Sequence, residues 1–597
     1  MGREIGRIVE VRGTNIKAEL FELLPPYLVE SGKVLVAPRI NTYVKTRVGF
    51  DTIVCQISGE YFDEQSAWRS ETRKNGQFTG YYLDLSVKGY FEGKRFIQGM
   101  RLLPMVASTI ELLDKDEFKQ INDCEENKGF KLGTDLFDAT QEYYLSFNRV
   151  IPSHIGIFGN TGSGKSNTLA KLMHEYVEIL SDRNVAKLLI IDLNNEYSGS
   201  SICDAQLKQI YNLNTRTDDN GDNKIPLDFS SLTEDQWCIL LNATEATQRP
   251  VIKTACNSGN RTEEEYENHI KVMLRTGQHQ LFRTIQYHMQ GYIEGISNIY
   301  WHTQNNVFYV DHGGTRTYSN EASFASYVLD NIHVSIPSDK MDAFLFRLYF
   351  ATAIHIGYGT QYDFISPLLR RTEKLIKDFK KVFTDTTDDL FNGKNIAVVQ
   401  LANVNKDMTE LIPSILVDRL FKKQIDNKQN GVVVTNIINI AVDEAHNLLF
   451  EDDLDTRHRK ITIETFEKAI KEGRKFGLYL WISSQRPSDI SSTIISQLHN
   501  YFIHKLVNPF DLNRIRKAVA FLDENSMNSL TVLGPGECIV SGTGINMPCF
   551  VKVDQLDRDY RPNSENVILF GDGGLFESEQ QKVNEKSNPS AMLGRMK

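Results

Sequence analysis

The stretch of sequence that decides the fold reads Gly159-Asn160-Thr161-Gly162-Ser163-Gly164-Lys165-Ser166. It lies between an apolar run, Ile155–Phe158, and an amphipathic pattern, Lys165–Ile179, so a glycine-rich loop joins a predicted strand to a predicted helix. Glycines allow backbone N–H groups to curl around phosphates, and the helix N-terminus adds a favourable dipole. The stretch therefore predicts a phosphate-binding loop at the start of an α/β domain.

Individual side chains of this loop have distinct predicted tasks. Lys165 is expected to reach the β- and γ-phosphates of ATP, and the Ser166 hydroxyl is expected to bind Mg²⁺. A chance glycine loop is the competing interpretation, but it requires the loop and both flanking elements to coincide by accident. The other residues predicted to contact the nucleotide are Gly159, Asn160, Thr161, Gly162, Ser163, Gly164 and Asn167.

Two adjacent carboxylates follow another apolar run, Ile437–Val442. Asp443 and Glu444 would lie at the carboxyl end of a parallel strand, which is the edge where such sheets bind ligands. Asp443 is predicted to hold Mg²⁺, and Glu444 is predicted to polarise the attacking water. A solvated turn explains such a pair equally well when it stands alone, but a phosphate loop in the same chain favours the catalytic interpretation.

A third polar element, Ser483-Ser484-Gln485-Arg486-Pro487, follows the apolar run Leu478–Ile482. A strand that ends in an amide beside the γ-phosphate can sense that phosphate or position water, so this task is assigned to Gln485. Arg474 precedes the same strand. From its position alone, a helix-terminal cation that stabilises the macrodipole is an equally good interpretation of Arg474.

The order of predicted elements divides the chain into four parts. Residues 1–130 are expected to form an antiparallel β-barrel, and residues 131–204 with 396–565 an α/β core. Residues 205–395 are too long for one crossover and are interpreted as an inserted, mainly helical subdomain. Residues 566–597 form a polar C-terminal tail.

Hydrophobic periodicity supports this division. Short alternating segments are typical of a barrel: Ile5–Val11, Lys33–Ala37, Thr52–Ser58, Tyr82–Leu85 and Gly99–Leu103. Five apolar runs that alternate with helices indicate a parallel sheet covered on both faces: Ile155–Phe158, Lys187–Ile191, Ile396–Leu401, Ile437–Val442 and Leu478–Ile482. Helical periods dominate the insertion, as in Glu263–Gly291 and Met341–Ile356.

Composition limits the class and the compartment. A formal net charge of −10 argues against a chain that binds nucleic acid over its whole surface. The same net charge is compatible with a basic channel inside an otherwise acidic protein. The seven cysteines show no CxxC spacing, which favours reduced thiols. Because we find no leader and no apolar run approaching about 18 residues, a cytoplasmic protein without a membrane anchor is expected.

Taken together, these motifs resemble the HerA–FtsK superfamily and, within it, HerA. The resemblance rests on the phosphate loop, Asp443-Glu444, Arg474-Lys475-Phe476-Gly477 and Ser483–Pro487. It extends over most of the chain, because the barrel is similar to the HAS barrel of that family. The stretches Ile190–Tyr197 and Gly534–Cys538, the latter with Pro548, also resemble family segments, although Asn194-Asn195 stands where a His-Gly pair is common. The resemblance implies a RecA-like P-loop NTPase core.

The resemblance also implies an activity and an assembly. Such proteins are ATP-dependent translocases or helicases of double-stranded DNA that act as homohexamers, with the nucleotide between subunits. Arg474 then becomes the arginine finger on the neighbour's ATP, and Arg486 is the competing candidate. Asp192 and Glu196 would orient water or magnesium, although a strand-end turn with a helix cap explains them almost as well.

The resemblance also implies partners for the chain. Family members commonly work beside a separate nuclease or effector, NurA-like or sirtuin-like, and some act in antiviral defence. Lys406 in Asn403–Asp407 is the best candidate for binding DNA phosphates, although a lone surface lysine is more often simply solvated. The alternative function is an ATP-regulated scaffold ring that assembles and activates an effector, with DNA movement secondary. The number of subunits, six or seven, and the direction of movement stay open.

Overall fold

The structure is a computed structural model, and it describes most of the chain. It covers residues 3–563 apart from 31–32, 65–78, 94, 122–128, 181–185, 218–222, 430–435, 452–456 and 520–521. The predicted tail, residues 566–597, lies outside the described residues. Among the helices that are described, none is both long enough and apolar enough to cross a membrane.

The N-terminal strands close into a barrel, which confirms the predicted architecture. The strands are β1 (Glu4–Arg12), β2 (Asn15–Leu20), β3 (Tyr27–Glu30), β4 (Lys33–Val36), β5 (Tyr43–Val48), β6 (Asp51–Phe62), β7 (Tyr81–Glu92), β8 (Arg95–Gln98) and β9 (Thr109–Leu112). Six of them pair in the order β2-β1-β9-β5-β6-β7, and β7 pairs again with β2. Closure leaves these six strands without a free edge.

One predicted barrel segment is wrong. Gly99–Leu103 lies in a loop, and the strand of this region is β8, which ends at Gln98. Met100 and Leu103 are exposed in that loop. The apolar residues of this segment alternate with other residues as they would in a strand, and this pattern led to the wrong prediction.

The first half of the core follows the barrel. Its elements are α1 (Lys115–Ile121), β10 (Gly129–Asp135), β11 (Glu142–Ser146), α2 (Phe147–Val150), β12 (Ile155–Phe158), α3 (Lys165–Leu180), β13 (Ala186–Asp192) and β14 (Lys208–Asn214). Strand β14 belongs to the core sheet, although the sequence assigned its residues to the insertion. The sequence of β14, KQIYNLN, is mostly polar and the strand is only partly buried, so it lacks the apolar run by which the other core strands were predicted.

The insertion is mainly helical, as expected, but it also contains a small sheet. Its elements are β15 (Ile225–Pro226), α4 (Glu234–Leu240), α5 (Gln248–Asn257), α6 (Glu263–Arg275), α7 (His279–Met289), β16 (Ile293–Glu294), β17 (Ile299–His302), β18 (Val307–His312), β19 (Thr315–Tyr318), α8 (Ala322–Tyr327), β20 (His333–Val334), α9 (Lys340–Gly357), α10 (Tyr362–Val382) and β21 (Phe383–Thr384). Strands β17, β18 and β19 form an antiparallel sheet. Its inner residues join the same apolar core as the helices.

The second half of the core returns to strands and helices. Its elements are β22 (Ile396–Asn403), α11 (Lys406–Gln429), β23 (Ile437–Val442), α12 (Arg457–Glu472), β24 (Leu478–Ser484), α13 (Ser492–Ser496), β25 (Asn500–His504), α14 (Pro509–Ala518), α15 (Glu524–Ser529), β26 (Glu537–Gly542) and β27 (Cys549–Val553). The five predicted core strands all exist, within one or two residues of the expected ends.

The core strands form one central sheet of eleven strands. Its order is β11-β10-β27-β26-β25-β12-β24-β23-β13-β22-β14, and the strands from β25 to β14 run parallel. Strand β12 lies in the middle, between β24 and β25. Because parallel strands end at the same edge, the residues that follow β12, β13, β23, β24 and β25 meet there. This fold is the predicted α/β core.

The barrel packs directly against the core. The Tyr43 hydroxyl donates a hydrogen bond of 2.6 Å to the carbonyl oxygen of Pro548. Met547 is buried in one cluster with Phe91 and Phe96 of the barrel. The loop between β26 and β27 therefore joins the two parts.

Candidate nucleotide-binding site

The phosphate loop is shaped by glycine conformations that other residues rarely adopt. Gly162 has a φ of +74° and Gly164 a φ of +103°. A Cβ added to Gly164 would lie 2.7 Å from the Cα of Gly536, so the loop and the segment before β26 are in direct contact. The Gly536 N–H donates to the Ser163 carbonyl oxygen at 2.8 Å. The turn therefore requires glycine at residue 164.

The loop lysine meets the two predicted carboxylates. The Lys165 ammonium lies 2.9 Å from Glu444 Oε1 and 3.5 Å from Asp443 Oδ1. Burial alone lowers the pKa of Lys165, but the negative charges of Asp443 and Glu444 more than offset this and raise it. Lys165 therefore carries its positive charge at the mouth of the loop, where it can neutralise a phosphate.

Asp443 is held as a carboxylate deep in the site. Its Oδ2 accepts a hydrogen bond of 2.8 Å from the Tyr197 hydroxyl, and its Oδ1 accepts one of 2.9 Å from the Glu444 N–H. Burial alone raises the pKa of Asp443, but the Lys165 ammonium and these hydrogen bonds bring it below its usual value. The side chain is thus ionised, which is the state that binds a divalent cation.

Glu444 has an unusual backbone conformation. Its φ is +49°, in the left-handed region that a residue with a side chain rarely adopts. Its Oε2 lies 3.3 Å from His446 Nδ1, while Oε1 faces Lys165. Strain of this kind costs about 1–3 kcal/mol and concentrates at functional sites. The conformation turns the carboxylate of Glu444 towards the phosphate loop.

Gln485 directly contacts the loop. Its Oε1 accepts a hydrogen bond of 2.5 Å from the Thr161 hydroxyl. On the same strand, the Ser484 hydroxyl lies 3.3 Å from His446 Nδ1. The end of β24 is therefore linked both to the phosphate loop and to the segment that carries Glu444.

Asp192 and Glu196 differ in their roles. Asp192 accepts hydrogen bonds from the N–H groups of Glu196 and Tyr197, at 3.0 and 2.9 Å, so its carboxylate shapes the turn after β13. Glu196 Oε2 is buried and has no hydrogen-bond partner in the described part of the chain. Burial and the negative charge of Asp443 raise the pKa of Glu196 to about 7.

The two candidate finger arginines lie at opposite edges of the sheet. Arg486 follows β24, on the same edge as the phosphate loop, and is 3.9 Å from Asp489. Arg474 is exposed in a short turn, Gly473–Phe476, that precedes β24. Because β24 spans seven residues at about 3.3 Å each, Arg474 is roughly 20 Å from the loop edge. It therefore cannot reach the nucleotide of its own chain.

Buried oxygen atoms around the loop fit a bound nucleotide and cation. The following atoms lie there without a hydrogen-bond partner from the described residues: Asn160 Oδ1, Ser163 Oγ and Glu196 Oε2. Buried polar atoms are normally paired, so unpaired ones at a loop of this kind are suited to a ligand. Ser166 opens helix α3 beside Lys165. Asn167 instead donates to the Asp554 carbonyl oxygen at 3.2 Å.

Sequence reasoning missed the support beneath the loop. His504, at the end of β25, lies 2.9 Å from the Thr168 hydroxyl and 2.9 Å from the Glu537 carbonyl oxygen. Burial lowers the pKa of His504 to about 4, so the imidazole is neutral. The one feature of the sequence that could have indicated this role is a histidine at the end of an apolar run. The sequence does not reveal its partner, because Thr168 is 336 residues away.

The loop, its lysine and the strand-end Asp-Glu pair define the class: the protein is a P-loop NTPase with a RecA-like core. Two family models match, "Helicase HerA, central domain" at residues 130–332 and "Helicase HerA-like C-terminal" at residues 434–557. The chain belongs to the HerA family. It is an ATP-hydrolysing enzyme of the helicase and translocase type.

The proteins similar to this chain include helicases from two organisms and a VirB4 protein from a third. The DNA double-strand break repair helicase HerA of Sulfurisphaera tokodaii is 24% identical over 475 residues, which cover 78% of this chain and 77% of that protein. A probable helicase of Methanocaldococcus jannaschii is 21% identical, covering 77% of this chain and 73% of its own length. The structure of VirB4 of Thermoanaerobacter pseudethanolicus matches 73% of this chain and 98% of its own length, with 14% identity and a TM-score of 0.41.

Proposed function

We propose that the protein is an ATP-driven translocase or helicase of double-stranded DNA that works as a homohexameric ring. The observation that carries the proposal is the joint match to the HerA central and C-terminal models, supported by the approach of Lys165 to Asp443 and Glu444 at one sheet edge. Relatives named as DNA double-strand break repair helicases support DNA as the substrate. Contacts to DNA would be made mainly with phosphates and carry little sequence information.

In this proposal the residues of the site divide the hydrolysis of ATP among them. Ser166 and Asp443 would hold Mg²⁺, which would neutralise phosphate charge when bound, and Lys165 would bind the β- and γ-phosphates. Glu444 takes up the proton of the attacking water, since its carboxylate lies beside Lys165 at the carboxyl edge of the sheet. Gln485 links the γ-phosphate position to strand β24 through its contact with Thr161.

The position of Arg474 supports a ring. An arginine that lies roughly 20 Å from its own phosphate loop can serve catalysis only at a neighbour's nucleotide. An exposed apolar patch lies at the loop edge and consists of Val507, Phe510 and Val532. It adjoins the loop, because the Asn160 N–H donates to the Lys505 carbonyl oxygen. We propose that the patch receives the neighbouring subunit and brings its Arg474 to the nucleotide.

A second protein is the proposed partner of the barrel. Two neighbouring loops that hydrogen-bond to β1 expose apolar side chains: Phe21, Leu23, Met100, Met105 and Val106. Contiguous exposed apolar residues commonly mark protein contacts. We propose that a nuclease or another effector, NurA-like or sirtuin-like, docks there and that the pair acts in antiviral defence. Cys55, Cys238, Cys256, Cys538 and Cys549 are reduced thiols, which fits action in the cytoplasm.

The alternative function is a scaffold ring in which ATP regulates the assembly of that effector. The net charge of −10 and the exposed barrel loops are compatible with it. The two functions differ in one measurable property, because only a motor must couple its ATP turnover to duplex DNA.

Mixing two inactive variants tests the trans role of Arg474. Arg474→Ala and Lys165→Ala subunits should each be inactive alone and should regain turnover together. In a ring mixed at random from equal amounts of the two variants, about a quarter of the interfaces combine an intact nucleotide site with an intact finger from the neighbour. ATP hydrolysis is measured at several mixing ratios after subunit exchange.

The matched control is a mixture of Lys165→Ala with Glu444→Gln. Both residues serve the nucleotide of their own subunit, so no interface of this mixture is complete and turnover should stay absent. If the Arg474 mixture also stays inactive, Arg474 has no trans role. Recovery by an Arg486→Ala mixture instead would transfer that role to Arg486.

A further inference from the structure

A cleft of about 880 Å³ opens in the insertion. One wall is helix α7 and the other is the beginning of helix α10. The volume is typical of sites that hold organic ligands, which range over about 300–1,000 Å³. None of the residues assigned to ATP lines this cleft, so it constitutes a separate site.

Helix α7 lines the cleft with two aromatic side chains and an arginine between them. His279, Arg283 and Tyr287 follow one another at intervals of four residues, which places them on the same helix face. Tyr287 is 76% exposed, so one face of its ring is free for contact. Arg283 forms no ion pair with any carboxylate of the described residues.

The opposite wall repeats this combination. Tyr362 and Arg370 line the cleft from α10, and Arg370 likewise forms no ion pair within the described part of the chain. Asp363 is the one acidic residue that lines the cleft. Two unpaired guanidinium groups against one carboxylate give the cleft a net positive charge, although the chain as a whole is acidic.

The rings are held in place by their neighbours. His288 Nε2 lies 3.1 Å from the Tyr362 hydroxyl, and its ring stacks on Tyr349 at a centroid distance of 4.9 Å. His279 stacks on Trp301 of the small sheet at 4.7 Å. Burial lowers the pKa of both His279 and His288, so at neutral pH the arginines supply the positive charge. The platform is therefore preformed.

We propose that this cleft binds a short stretch of single-stranded nucleic acid. Arg283 and Arg370 contact its phosphates, and bases stack on Tyr287 and Tyr362. Grooves that combine cations with exposed aromatic rings bind single strands without sequence preference, since every base has a π face. In a duplex the base faces are already stacked on each other and are not free to cover a tyrosine. The cleft thus adds a strand-binding site outside the motor, and the proposal does not rest on DNA movement.

The test is fluorescence anisotropy of a labelled oligothymidylate with the full chain, in the absence of ATP. Tyr287→Ala should weaken binding about fivefold or more, through loss of one stacked base. Arg283→Ala with Arg370→Ala should weaken it further. The same double substitution should reduce the slope of log affinity against log salt by about 1.4, because each lost single-strand phosphate contact removes about 0.7.

Arg275→Ala is the matched control, since Arg275 is exposed at the end of α6 but does not line the cleft. It should leave the affinity and the salt slope unchanged. All substituted residues are exposed, and thermal melting verifies that each variant folds. Unchanged oligothymidylate binding in both the Tyr287 and the arginine variants would overturn the proposal. Equally strong competition by thymidine monophosphate would also overturn it, because the cleft would then be a mononucleotide pocket.

Discussion

Replacing Lys165 with alanine should abolish ATP turnover. The ammonium group is the cation at the mouth of the phosphate loop, and it lies 2.9 Å from Glu444. Without it, the β- and γ-phosphates would face the carboxylates of Asp443 and Glu444 with one positive charge fewer to compensate them. We expect both the affinity for ATP and the rate of hydrolysis to fall below detection, measured with a fluorescent ATP analogue and by phosphate release.

Lys171→Ala is the matched control for this substitution. Lys171 lies in the same helix and pairs with Glu175 at 2.6 Å, so its loss also removes an ion pair from α3. It should leave turnover unchanged. Because Lys165 neutralises buried carboxylates, both variants are assayed below their melting temperatures. Undiminished turnover by Lys165→Ala would contradict the assignment of the whole site.

Glu444→Gln should separate ATP binding from hydrolysis. The amide keeps the shape of the side chain but cannot take up a proton, and general-base catalysis typically contributes about 10²–10⁴-fold in rate. Loss of the Glu444 charge also releases Lys165 from its 2.9 Å ion pair, so ATP should bind at least as tightly. We expect turnover to fall about 100-fold or more while bound ATP persists.

Glu464→Gln serves as the control, since Glu464 is exposed on α12 and forms only a 4.0 Å pair with Lys460. Single-turnover measurements distinguish slow chemistry from slow product release. Loss of ATP binding by Glu444→Gln would mean that the residue is structural. Retention of full turnover would transfer the role of base to another carboxylate, and Glu196 would be the next to test.

The motifs of the site could be predicted because their chemistry lies in short contiguous stretches. The phosphate loop, with its glycines and lysine, is readable from sequence alone, as is a strand that ends in Asp443-Glu444. The structure brings Lys165, Asp443 and Glu444 together as expected. The catalytic roles of these residues, and of Gln485 and Arg474, stay predictions until the variants are measured.

Contacts between distant segments could not be predicted. Tyr197 donates to Asp443 across 246 residues, and Gly536 touches the phosphate loop from the other end of the core. Neither contact has a periodic or spacing signal. Strands β14 and β25 were missed for a related reason: β14 is only partly buried, and β25 begins with Asn500 and ends with His504, two polar residues whose buried partners lie elsewhere.

The most direct test of the motor is ATP hydrolysis by the purified chain with and without linear duplex DNA, together with its mass in solution. A hexamer-sized species whose turnover rises severalfold with duplex DNA is the expected result, and Lys165→Ala sets the background. A ring whose turnover is the same with and without duplex DNA would contradict the motor and favour the effector scaffold.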